Sequence, residues 1–94
     1  MNNTHKENAC VFKAFCDETP LAILKQLRSG EKCACVLIDD INVKQSALSY
    51  HMKILCESGI VASRQEGKWT HYHLSQEGTK YAKELLVLLT TPKI

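Results

Sequence analysis

The 94-residue chain holds only four glycines and two prolines, and it has no Pro/Gly/Ser-rich stretch and no internal repeat. Without linkers, residues 1–94 are expected to form a single domain. No long hydrophobic run is present. The longest unbroken aliphatic stretch, Leu85 to Leu89, is far short of the ~20 residues that span a bilayer, so no membrane partner is expected. A net charge of +2 from twelve basic and ten acidic residues does not name a nucleic-acid partner, and any positive patch must come from clustering. Cys-x-x-Cys pairs are missing, as is a strand–helix alternation, which argues against a structural zinc site and against a thiol redox enzyme. No Ser/His/Asp grouping, phosphate loop or paired acids in motif context supports catalysis. The stretch Met1–Lys6 is not apolar enough for an export signal, so the five cysteines, an odd number, are expected to be reduced thiols in the cytoplasm.

The residues that are present carry clear periodicities. Val11, Phe12, Phe15 and Cys16 form an apolar stripe that predicts a helix from about Asn8 to Asp17. Thr19 followed by Pro20 reads as an N-cap and first helical position, opening a helix with Leu21, Ile23, Leu24 and Leu27 that Gly30 stops. A third helix runs from Cys33 to about Ile41. After a short turn at Asn42, Val43 and Lys44, a fourth carries Leu48, Met52 and Leu55 at i, i+4 and i+7. The period then changes. Ile60 to Arg64 and Trp69 to Leu74, around a turn at Gln65–Lys68, predict a β-hairpin. From about Gln76 the pattern is helical again until Thr90, Thr91 and Pro92 end it.

Two helices joined by a three-residue turn and followed by a hairpin match a helix-turn-helix with a wing, so the expected fold is mainly α with a β-hairpin wing. The reading helix is expected at about residues 45–57 and the wing at about 60–74. Gln45, Ser46, Ser49, Tyr50 and Lys53 lie on the face of the fourth helix opposite its apolar residues; with Arg64, Lys68 and His71 of the wing they are the candidate contacts to double-stranded DNA. Between residues 42 and 75, Lys44, Lys53, Arg64 and Lys68 outnumber Glu57 and Glu66 by two, equal to the surplus of the whole chain. Lys44 offers no oxygen to cap the reading helix. His51, close to the Leu48/Leu55 face, reads as a packed histidine, and His71 and His73 share one face of a strand.

Five stretches in consistent order, Asp17-Glu18-Thr19, Gly30 to Cys35, Leu48 to Met52, Glu57 to Val61 and Gly67 to Leu74, together resemble the ArsR/SmtB family of metal- and metalloid-responsive repressors. The likeness covers roughly residues 9 to 78. It is greatest to arsenic-responsive members, whose third helix opens on Glu-x-Cys-x-Cys. The resemblance implies a homodimeric winged helix-turn-helix protein that sits on an operator and leaves it when inducer binds. The apolar run Leu85–Leu89 independently calls for cover by a partner chain, so dimerisation is expected through the first helix and the helix at about 76–90. The family's alternative site in the last helix is absent, since residues 76–94 hold no His or Asp.

Cys33 and Cys35 are the expected inducer ligands, because soft thiolates select As(III), Sb(III) or Cd(II) over hard ions. At a helix N-terminus beside Lys32 their thiol pKa is expected to fall. In a regular helix i and i+2 point apart, so chelation is expected to unwind the turn. Ile38 stands where many arsenic sensors carry a third cysteine. A third ligand then comes from Cys10, or less readily Cys16 or Cys56, both read as buried thiols; otherwise a methylated trivalent arsenical needs only two. A cadmium or zinc sensor and a thiol redox-responsive repressor are the alternatives on the same fold.

Overall fold

The computed structural model describes residues 4–93. α1 (His5–Lys13) starts three residues before its expected position, because Thr4 caps it by accepting from the Glu7 N–H at 3.2 Å. α2 (Glu18–Leu27) is capped by Asp17 and not by Thr19. The Asp17 carboxylate accepts from the Glu18 N–H at 2.7 Å and places a negative charge at the positive end of the helix dipole. Pro20 therefore sits one turn deep, still among the amides that have no intrahelical acceptor. Gly30, with φ +131°, ends the segment in a conformation that suits glycine.

α3 (Ala34–Ile41) begins one residue later than expected, since Cys33 is its extended N-cap. Asn42 closes it in the left-handed region, with φ 59° and its N–H donating to the Ile38 carbonyl. Three residues separate α3 from α4 (Gln45–Glu57). Lys44 is the N-cap of α4 and its side chain makes no capping hydrogen bond. Lys44→Ser supplies one and should stabilise the domain by about 1 kcal/mol. Calorimetry should then show Tm rising by roughly 4–8 °C.

β2 (Val61–Glu66) and β3 (Trp69–Leu74) form the hairpin, and Glu66 pairs with Trp69, so the loop is only Gly67-Lys68. Gly67 alone of the two has positive φ, +60°, which is the demand of a II′ turn at its first position. The hairpin is not the whole sheet. β1 (Lys32–Cys33), unforeseen in the sequence, pairs antiparallel with β3 and gives the order β1-β3-β2. α5 (Gln76–Thr90) is capped by Ser75, whose Oγ accepts from the Gly78 N–H at 3.1 Å.

The five helices, β2 and β3 share one core. Leu48, Met52 and Leu55 of α4 are buried as their spacing predicts, against Ile23, Leu27, Leu37, Val61 and Leu85. Ser58 is buried too, its hydroxyl donating to the Leu55 carbonyl and accepting from the Ile60 N–H. This fixes the corner at which α4 hands over to the hairpin.

Candidate DNA face and thiol site

The apolar side of α4 faces the core, and the side that remains is polar. Gln45, Ser46, Ser49, Tyr50 and Lys53 are all exposed and follow one stripe at spacings of one and four. At thirteen residues, α4 is about 20 Å long, enough to lie in a major groove. The Tyr50 ring meets His51 edge-on at 5.2 Å between centroids, which holds the tyrosine out from the helix. His51 is half-buried.

The three wing candidates sit differently. Lys68 is at the hairpin tip, its ammonium 5.4 Å from the centre of the Trp69 ring. His71 is in the central strand, half-buried, opposite Arg64 on one side and Cys33 on the other. Arg64 is exposed but fully engaged. Its Nε donates to both Glu31 oxygens at 2.9 and 3.1 Å, Nη2 lies 2.7 Å from Glu31 Oε1, and Nη1 donates to Glu66 at 2.9 Å. These hydrogen bonds hold the Glu31 and Glu66 carboxyls below the usual carboxylate range and push the guanidinium pKa up. Glu31 also lies 3.4 Å from His73 Nδ1.

Strand alternation puts Cys33, Arg64, Glu66, His71 and His73 on one face of the sheet, where Glu31 meets Arg64 and His73, and Lys32, Ser63 and Tyr72 on the other. Sequence reasoning gave Glu31 no role. Its only local signal was its place as the Glu of the Glu-x-Cys-x-Cys stretch, two residues before Cys33, and its partner is 33 residues away in the chain.

The thiol pair departs from expectation in two respects. Because Cys33 is in extended backbone and only Cys35 is in the helix, the two side chains do not diverge. Cys35 Sγ donates to Cys33 Sγ at 3.2 Å. Two thiolates on one tetrahedral ion with metal–sulfur bonds of about 2.3 Å are roughly 3.8 Å apart. A bridging ion therefore needs a small spread of the sulfurs and no unwinding of α3. The second difference is the acidity of Cys35. Its pKa is raised, first by its hydrogen bond to Cys33 and then by desolvation and the nearby Cys33 charge, which together outweigh the helix amides.

The other thiols are dispersed. Cys10 is exposed on α1. Cys16 is not buried as expected: α1 ends at Lys13, and Cys16 sits exposed in the following turn, donating to the Phe12 carbonyl. Cys56 is half-buried against the core, and burial pushes its thiol pKa up. Beside it Tyr72, on the inner sheet face, is likewise shifted up by burial, with smaller contributions from Cys56 and Cys33. Among the described residues no three His, Cys, Asp or Glu side chains converge as a ready metal site. Within one chain the donors that come together are thus the two thiols Cys33 and Cys35, which fit a soft ion.

A three-residue turn between two helices, an exposed polar face on the second and an antiparallel wing directly after it define a winged helix-turn-helix DNA-binding protein. Residues 17–63 match the bacterial regulatory protein, arsR family. An HTH-type transcriptional regulator of Methanocaldococcus jannaschii is 40% identical over 77 residues, 81% of this chain and 86% of that protein. An arsenical resistance operon repressor of Staphylococcus xylosus is 34% identical over 88 residues, covering 94% and 85%. HlyU from Vibrio cholerae N16961 superposes with a TM-score of 0.71 at 32% identity, over 98% of this chain and 100% of that one. The chain belongs to the arsR family, whose members are DNA-binding transcriptional regulators and not enzymes. Among the described residues no helix is long and apolar enough to cross a membrane.

Proposed function

We propose that the protein is the repressor of a metalloid-resistance operon in the cytoplasm, binding double-stranded operator DNA as a homodimer and released when trivalent arsenic or antimony bonds to Cys33 and Cys35. The observation that supports this most is the 3.2 Å sulfur pair at the first residues of the first helix of the helix-turn-helix. With arsenite, each As–S bond replaces an As–OH bond, the thiol proton leaving with the hydroxyl as water. Two such exchanges leave one position on arsenic for hydroxide or, in a methylated arsenical, for carbon. Cys33 is also a residue of the sheet that carries the wing. An ion bridging it to α3 therefore acts on both DNA-contacting elements, lowering operator affinity by differential binding to two conformations.

Dimer formation is supported by α5. Leu86, Val87, Leu88 and Leu89 are each at least half exposed. Leu86 also lines an apolar groove of about 840 Å³ with Phe12, Phe15, Leu21, Leu24 and Leu74. A second copy of the chain would cover this continuous patch through α1 and α5.

The test is fluorescence anisotropy of an operator duplex with the parent and with Cys33→Ser and Cys35→Ser, titrated with arsenite, methylarsenite, antimonite, cadmium and zinc. Either substitution should abolish release by arsenite while leaving operator affinity within about two-fold, and affinity should fall steeply with salt. Arsenite release of the double variant at the parent's concentration would sink the reading. A cadmium sensor is the second reading, favoured by a Staphylococcus aureus cadmium resistance regulatory protein CadC homolog that is 36% identical over 77 residues. It predicts release by cadmium with none by arsenite. A redox-responsive repressor would be released by peroxide alone.

A further inference from the structure

Arg64 is the only lysine or arginine in the strands β2 and β3, and in this conformation none of its donor nitrogens is left without a carboxylate. Of its two partners, Glu66 lies two residues further along the same strand and travels with it. Glu31 comes from a distant stretch of chain, the one that runs through Lys32 into Cys33 and pairs with β3, and its side chain meets the wing through the Arg64 bridge and the contact with His73.

We infer that Glu31 competes with operator phosphate for Arg64 and so connects the thiol pair to the wing. In one state Arg64 rests on Glu31 and the sole cation of the wing strands is neutralised; in the other Arg64 reaches a phosphate and Glu31 is let go. The conformation with the sulfurs 3.2 Å apart is also the one with the bridge closed. A ligand spanning Cys33 and Cys35 spreads the sulfurs only slightly from that conformation and ties Cys33, two residues from Glu31, to α3, so inducer and phosphate-bound Arg64 oppose each other, and by linkage equally in both directions. This deepens the assignment of the inducer to Cys33 and Cys35 and rests on it. Water and salt reach the bridge, at 48% exposure for the Arg64 side chain and 30% for Glu31, so the size of the effect is that of a surface pair.

The experiment uses Glu31→Gln, which keeps the shape and removes the charge, alone and combined with Arg64→Ala. Operator binding is followed by anisotropy across a salt series, first without inducer and then with arsenite and cadmium. Without inducer, Glu31→Gln should bind the operator about two- to five-fold more tightly than the parent. Its log Kd against log salt should steepen by at most about 0.9, the slope of one whole phosphate contact, because Arg64 already reaches a phosphate in part of the parent's bound state. On the Arg64→Ala background the same substitution should change nothing. With inducer, the ratio of operator affinities without and with the ion should shrink relative to the parent, while cadmium–thiolate absorption shows that the pair still fills. Unchanged or weaker operator binding by Glu31→Gln, or a gain that persists with Arg64→Ala, overturns the inference. Should no thiophilic ion release the parent, the inducer assignment fails by itself, and the inducer-free comparison still decides the competition for Arg64.

Discussion

Leu88→Glu should leave a folded monomer whose operator affinity is lower than the parent's by about two orders of magnitude or more. Leu88 is 61% exposed on the isolated chain, so a carboxylate there costs the monomer fold little and its helical circular dichroism should be unchanged. In a dimer the same carboxylate would be buried without a partner, a cost that a modest interface cannot absorb. Operator binding then loses the second half-site and the avidity that comes from joining two readers. Sedimentation velocity reads the oligomeric state and anisotropy the affinity. A variant that stays dimeric would show that the exposed run of α5 is not the interface.

Gly78→Ala should destabilise the protein by about 3 kcal/mol, a large effect for one added methyl, with Tm falling by roughly 12–24 °C. Helix propensity alone predicts the opposite sign, since alanine is favoured over glycine by about 1 kcal/mol inside a helix. What reverses it is contact. A Cβ on Gly78 would run into the carbonyl oxygen and carbon of Gly59. Both are backbone atoms, and neither can move aside freely. Gly59 has φ +84° at the corner after α4, and the Ser75 N–H donates to the Ile60 carbonyl at 2.8 Å, so the start of α5 is fastened over that corner on both sides of the clash. Urea unfolding of Gly78→Ala gives the loss directly, and a stability equal to the parent's would mean that α5 and the corner pack less closely than the structure has them.

Much of the fold was legible because the governing signals are local. Leu48, Met52 and Leu55 predict a helix and its buried side without reference to the rest of the chain, and Asn42, Gly59 and Gly67 mark turns whose positive φ is a residue-level property. The helix-turn-helix with its wing follows from the order of such pieces. The errors lie where a local preference competes with a neighbour or with distant chain. Thr19-Pro20 is a good helix start, but Asp17, two residues earlier, is a charged cap. β1 is too short to show a period; it exists because β3, forty residues on, offers it an edge. That short strand also explains why the geometry of the thiol pair was misjudged. Helix spacing sends i and i+2 apart, whereas a strand residue followed by a helix residue brings their side chains together. The Glu31–Arg64 bridge joins residues far apart in sequence, and no composition or spacing rule reaches it.

A cytoplasm contains many monothiols that bind trivalent arsenic one bond at a time, and this chain carries two exposed ones of its own, Cys10 and Cys16. Against them, Cys33 and Cys35 hold an advantage of pre-organisation. Once the first sulfur has bonded, the second is already in contact distance and adds its bond at very high effective concentration, with little further loss of chain freedom. In the proposed repressor the 3.2 Å pair would therefore set a threshold as well as a site. Under the proposed assignment arsenic would pass from the single-thiol pool to this pair, and transcription would respond to a free concentration well below the one at which isolated cysteines fill.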